Sequence, residues 1–126
     1  MPISRHYDEN LGILFVTVSG EVSEEEFLAH AREQANDDSI PTGTWELHDF
    51  RELKSTFSRE TLAHIATIFL DTDQDPESSR VAVVVSGDLG FGSGRQYQTF
   101  RNLDSPVELR IFKDMSEARA WLEMPG

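Results

Sequence analysis

Cysteine is absent from the 126 residues. That excludes disulfides, thiolate nucleophiles and cysteine-ligated metals, and it fits a reducing compartment. Cations are scarce: 11 Lys and Arg stand against 23 Asp and Glu, a formal charge of −12. The imbalance is local, since residues 1–79 carry 17 acidic and 5 basic side chains whereas 80–126 carry 6 of each. A chain so charged, without a Lys/Arg cluster, repels phosphate backbones and anionic headgroups, so nucleic acid is not an expected partner. There is also no run of about eighteen apolar residues, and MPISRHYDEN contains no apolar signal segment. The expectation is a cytoplasmic protein without a membrane span.

What is present suffices for one core: hydrophobic residues make up 38% of the chain, and its length is that of a single domain, 1–126. Strand and helix signals alternate. GILFVTVSG (12–20) is a nearly continuous β-branched and aromatic run, as expected of a strand covered on both faces. SEEEFLAHAREQA follows, with Ser23 and Glu26 at capping-box spacing and Phe27, Leu28, Ala31 and Ala35 on one helical stripe. NDDSIPTGT is turn chemistry, and TWELHDF (44–50) alternates like a strand with one less buried face.

Ser58 is the natural N-cap of a second helix carrying Leu62, Ile65, Ala66 and Phe69. VAVVVS (81–86) has the uniform apolarity of a central strand, and a third helix presents Tyr97, Phe100 and Leu103. PVELRIF (106–112) suits a strand near an edge, and Asp114 with Glu117 opens a last helix with Ala118, Trp121 and Leu122 on its buried stripe. This alternation predicts an α/β sheet, mostly parallel with right-handed crossovers, with the first segment hairpinned on one side.

Taken together, the HDFREL strand end, the Ser58 cap, the segment SGDLGFGSGRQYQTF and the closing SPVELRIFKDMSEARAWL resemble the SpoIIAA-like branch of the STAS domains, the anti-sigma factor antagonist and sulfate-transporter modules. The likeness runs from about residue 4 to residue 123. It implies a SpoIIAA-like β-α superhelix with a mixed, mostly parallel sheet of about five strands and four helices, a fold shared with CRAL-TRIO lipid-transfer domains. It also implies a non-enzymatic interaction or regulatory module with a protein partner. In antagonists of this family a phosphorylatable serine opens the helix after the strand that ends in Asp, usually in an Asp-Ser-Ser-Gly setting. Asp49 and Phe50 match that strand end and Ser58 the helix start, which makes Ser58 the candidate switch, although its neighbours read Phe57-Ser58-Arg59-Glu60.

The glycines after VAVVVS raise the question of an anion site, because a helix N-terminus offers unpaired N–H groups. The Walker, dinucleotide and nucleophile-elbow spacings are all missing from GDLGFGSGR. Ser93 and Gln96 form a second capping-box pair, so the helix is expected to start at Ser93, or earlier with Asp88 as cap. Gly92, Ser93, Gly94 and Arg95 are the candidate contacts for an anion or ligand headgroup.

Other constellations are weaker. Asp71, Asp73 and Asp75 start like a calcium loop, but Pro76 replaces the required Gly and Ala82 the bidentate Glu, so no metal and no cofactor is expected. His48 and Asp49 are adjacent in a strand and point to opposite faces, which gives no catalytic pair. His30 and His64 are expected at the surface or boundary, and Phe69, Phe91 and Phe100 in the core or around an apolar pocket. Three functions remain in order: the interaction module, with a homodimer as a candidate assembly; a carrier of a small apolar ligand bound between the sheet and helices 58–70 and 93–103; and an enzyme using His48.

Overall fold

A computed structural model describes residues 2–70, 79–103 and 107–125. The strands are β1 (Ile3–Asp8), β2 (Ile13–Val18), β3 (Trp45–Asp49), β4 (Arg80–Val84) and β5 (Glu108–Phe112). Between and after them come helices α1 (Glu24–Ala35), α2 (Arg59–Ile68), α3 (Gly87–Asn102) and α4 (Met115–Trp121). The sheet order is β1-β2-β3-β4-β5, with β1 antiparallel to β2 and every later pair parallel. The expected mixed, mostly parallel sheet with a hairpinned first strand is therefore present. Stepping one strand at a time in one direction, right-handed crossovers place successive helices on one side of a sheet. Accordingly α1, α2 and α3 share a face, and α4 covers the other.

Helix starts follow local chemistry. Ser23 and Glu26 form the reciprocal capping box of α1, Ser58 Oγ accepts from the Thr61 amide, and Asp114 caps α4 through the Ser116 amide. The sheet then sorts its alternate residues. Leu14, Val16 and Val18 pack with Phe27, Ala31, Ile65 and Phe69 on the three-helix face. Val81, Val83 and Leu109 extend that face, while Ile13, Leu47, Ala82 and Val84 meet Ala118 and Leu122 on the other. Both faces of β4 are covered, as its uniform apolarity predicts.

Three expectations are corrected. β3 is the middle strand of five, and Leu47 and His48 are both buried, so it lacks the less buried face that its polar residues suggested. Leu103, at the C-cap of α3, is 71% exposed and does not join the buried face of that helix. Of the two expected starts for α3 the earlier is nearer, since it begins at Gly87, but Asp88 lies in the first turn and Ser86 is the cap residue; Ser86 makes no side-chain cap bond, and its Oγ donates to the Arg51 carbonyl at 2.9 Å. Gly87, at φ +73°, makes the turn from β4.

The glycines inside α3 have a packing reason. A Cβ on Gly94 would stand 2.9 Å from Ile111 Cγ2, and one on Gly90 3.4 Å from Val85 Cβ. Four residues apart, the two glycines share a helix face and let α3 approach β4 and β5 closely. Gly92 faces open space.

Candidate functional site

Three helices laid across one sheet face leave a cavity of about 230 Å³ between them. Aromatic and aliphatic side chains form most of its wall, among them Phe27, Phe50, Phe57, Phe69, Leu62 and Ile65. Two ring pairs stiffen that wall, Phe27 with Phe57 at 4.8 Å and Phe27 with Phe50 at 5.7 Å between centroids. On the α3 side the lining residues include Gly90, Ser93 and Gly94, whose lack of bulk leaves the space open.

The floor is polar, and β3 and α1 build it. Alternation along β3 sends Glu46 and His48 to the helix side of the sheet, beside Leu14 and Val16 of β2 and Val81 and Val83 of β4. One helical turn apart on α1, His30 and Gln34 face them. Glu46 Oε1 receives His48 Nε2 at 2.7 Å and Gln34 Nε2 at 2.9 Å. Burial pushes the Glu46 carboxyl up, but the hydrogen bond and charge of His48, the charge of Arg101 and the Gln34 amide outweigh it and hold the group below its ordinary value. Glu46 is accordingly ionised at neutral pH.

His30 is only 9% exposed, which corrects the expectation of a surface or boundary residue. Its pKa is lowered to about 4, first by burial, then by His48 and Arg5, against the opposing charge of Glu46. Arg5 Nη1 lies 3.2 Å from His30 Nδ1, so the neutral ring accepts there and carries its proton on Nε2. Arg101, 3% exposed, donates to the Tyr97 hydroxyl at 2.8 Å, and its guanidinium lies 4.7 Å from the Phe69 ring centroid. Gln34 Oε1 is buried and has no hydrogen-bond partner among the described residues.

The sequence-derived candidates divide. Ser93 and Gly94 line the cavity, whereas Gly92 and Arg95 do not. Arg95 is exposed over the Phe91 ring, beside a shallow depression formed with Gln98, Thr99, Asn102 and Leu103. Because α3 starts at Gly87, the amides of residues 92–95 belong to the helix interior and not to its unpaired first turn. Ser58 is exposed outside the cavity, and its hydroxyl donates to Glu24 Oε2 at 3.1 Å; the Thr61 hydroxyl bonds the same carboxylate. His48 pairs with Glu46, while Asp49 pairs with Arg51 at 2.9 Å, as opposite strand faces require. His64 is exposed, and the Asp71, Asp73 and Asp75 motif lies outside the described residues. Among the described residues no group of three or more His, Asp or Glu could hold a metal ion, and no helix is long and apolar enough to cross a membrane.

Sequence reasoning missed Glu46, Gln34, His30 and Arg101. The alternation that separates His48 from Asp49 also puts Glu46 on the side of His48, and that spacing was the available signal.

No family model matches the chain, and no curated protein sequence does. Among solved structures, the chain is similar to an uncharacterised protein of the DUF3478 family with a SpoIIAA-like fold, from Shewanella loihica PV-4. The likeness covers 95% of this chain and 91% of that one, with a TM-score of 0.57 and 21% identity. At that identity the likeness concerns the fold, and it agrees with the strand order and helix placement described above: the chain has a SpoIIAA-like α/β fold.

Proposed function

We propose that this chain is a non-enzymatic STAS-like regulatory module that binds a small, largely apolar molecule between its sheet and helices α1–α3. The observation that carries the reading is the largely apolar cleft between the sheet and α1–α3, with His30, Gln34 and His48 among its lining. Ligand sites generally combine an apolar wall with a few placed polar groups. At about 230 Å³ the space exceeds the roughly 150 Å³ that admits benzene and falls short of the roughly 300 Å³ of drug-sized sites. A ligand the size of a fused bicyclic ring fits this range, and a two-chain lipid does not. Occupancy would be read by a protein partner through the surface formed by α1, α2 and residues 53–57, all of which border the cavity.

The test is native mass spectrometry of the protein purified from its own cells, with a denatured control. A small adduct that is lost on denaturation, and absent from a folded Ser93→Phe variant that fills the cavity, is the expected result. If the native protein carries no adduct and no apolar probe raises its melting temperature, the reading fails.

Modification of Ser58 is a second control point within the same reading. The residue is exposed at a helix N-terminus, where a phosphate gains from the helix dipole, yet Glu24 stands against its hydroxyl. A phosphate would repel that carboxylate and loosen the N-terminal ends of α1 and α2 from one another. Ser58→Asp is expected to alter partner or ligand binding where Ser58→Ala does not; identical binding by the two variants removes the switch.

A further inference from the structure

The His30 ring narrows the ligand's chemistry, because it reaches from the edge of the sheet to the cavity. Nδ1 is turned to Arg5 of the edge strand β1 and accepts there at 3.2 Å, so the neutral ring carries its proton on Nε2. The two nitrogens of an imidazole point to nearly opposite sides of the ring. Nε2–H is thereby aimed away from β1 and toward β3, whose Glu46 and His48 lie close enough to act on the charge of the ring. Both His30 and His48 line the cavity. Among the described residues nothing accepts from His30 Nε2–H, and the one side-chain nitrogen or oxygen that is both sealed off and without a partner is Gln34 Oε1. His30 Nε2–H is therefore unbonded yet open, and the opening on that side of the ring is the cavity. A wholly apolar guest would strip this N–H of hydrogen bonding, which is costly, whereas a guest that brings an acceptor answers it. A carboxylate would answer it too, but the ionised Glu46 nearby repels an anion. A protonated ring nitrogen has lost the lone pair it would offer. The faces and edges of Phe27, Phe50, Phe57 and Phe69 suit a flat aromatic body.

We propose that the cavity selects a small neutral aromatic molecule carrying an uncharged hydrogen-bond acceptor, and that His30 Nε2–H donates to that acceptor as the specificity-determining contact. The inference rests on the ligand-binding reading above and adds to it the chemical class of the ligand.

Quinoline and naphthalene separate the two claims, since they share one planar outline and differ in a ring nitrogen that accepts. Naphthalene leaves water more readily, so the decisive quantity is the ratio of the two affinities and not either value alone. Calorimetric titration of the intact chain at neutral pH is expected to give a quinoline-to-naphthalene ratio about tenfold higher in wild type than in His30→Phe, which keeps a ring there and removes the N–H. Naphthalene affinity retained in the variant shows that its cavity is intact. A readout independent of any variant's folding is the His30 Nε2 nitrogen signal in wild-type protein, expected to move downfield with quinoline and to shift far less with naphthalene; it decides alone if the variant binds neither probe. A ratio unchanged by His30→Phe, or a His30 Nε2 signal that bound quinoline leaves in place, overturns the acceptor selection and leaves the cavity reading standing. Binding of neither probe to the wild-type chain, up to its solubility limit, overturns both.

Discussion

The two faces of the sheet solve the same problem differently. On the α4 face, polar residues keep an outlet: the Arg80 guanidinium lies 4.9 Å from the Trp45 ring centroid and 5.2 Å from that of Trp121, and donates to the Trp121 carbonyl at 2.7 Å. Arg110 lies 5.5 Å from the same Trp121 ring. Long cationic stems cover apolar surface there while their heads remain near water, so the layer is closed without burying a carboxylate. On the three-helix face, Glu46, His48 and Gln34 are taken under the helices and satisfy one another, while His30 beside them is met by Arg5. Among the described residues one acceptor, the buried Gln34 Oε1, is left without a partner. A packed face and a receptive face thus arise from one alternating sheet. The difference lies in whether the polar groups were left a route to solvent.

The largest expected effect breaks the receptive face. Glu46→Ala leaves His48 and the Gln34 amide without their shared acceptor, and should cost about 3 kcal/mol in urea unfolding.

The next is set by pH. His30 titrates near 6.5 when unfolded and is lowered to about 4 when folded, so the unfolded chain binds the extra proton between those values. Stability linked to His30 is complete above about pH 6.5 and is lost progressively as pH falls toward 4. Glu46, also lowered in the fold, adds a loss in the same direction as pH falls through its folded value. Denaturant midpoints measured across this range should slope less steeply for His30→Gln than for wild type, and an unchanged slope would mean that His30 is not the titrating group.

Third is Gly94→Ala, whose methyl would press on the β-branched Ile111 side chain and should cost about 1–2 kcal/mol, with part of the loss recovered by adding Ile111→Ala. On the packed face, Arg80→Ala removes a carbonyl bond and two ring contacts and should cost about 1 kcal/mol without altering ligand binding. The smallest change has the opposite sign. Gly92→Ala meets open space within the helix and should stabilise by up to about 1 kcal/mol, as a small rise in melting temperature.

Much of this architecture was legible because its causes are local. The Ser23–Glu26 capping box, the Ser58 and Asp114 caps and the unbroken apolar run of β4 each depend on residues within a turn or a strand of one another. The start of α3 was less legible, because glycine is a poor helix former and a sequence rich in it reads as a turn. What holds that helix is its approach to β5, where Gly94 and Ile111 touch across seventeen residues of chain. The site was hidden for a related reason. Glu46 and His48 look like the polar half of a half-exposed strand, and nothing within WELHD says that a helix will lie over them.

By itself the sequence determined which segments become strands and helices, their alternation and hence the parallel sheet, and the absence of cysteine chemistry, since caps, periodicity and composition act at short range. Only the tertiary structure decided that three helices would share one face, that Gln34, Glu46 and His48 from α1 and β3 would bond one another, and that a cleft lined by aromatic rings would lie beside them. Those are outcomes of packing between elements far apart in the chain, where burial turns an ordinary polar residue into one that must find its partner inside.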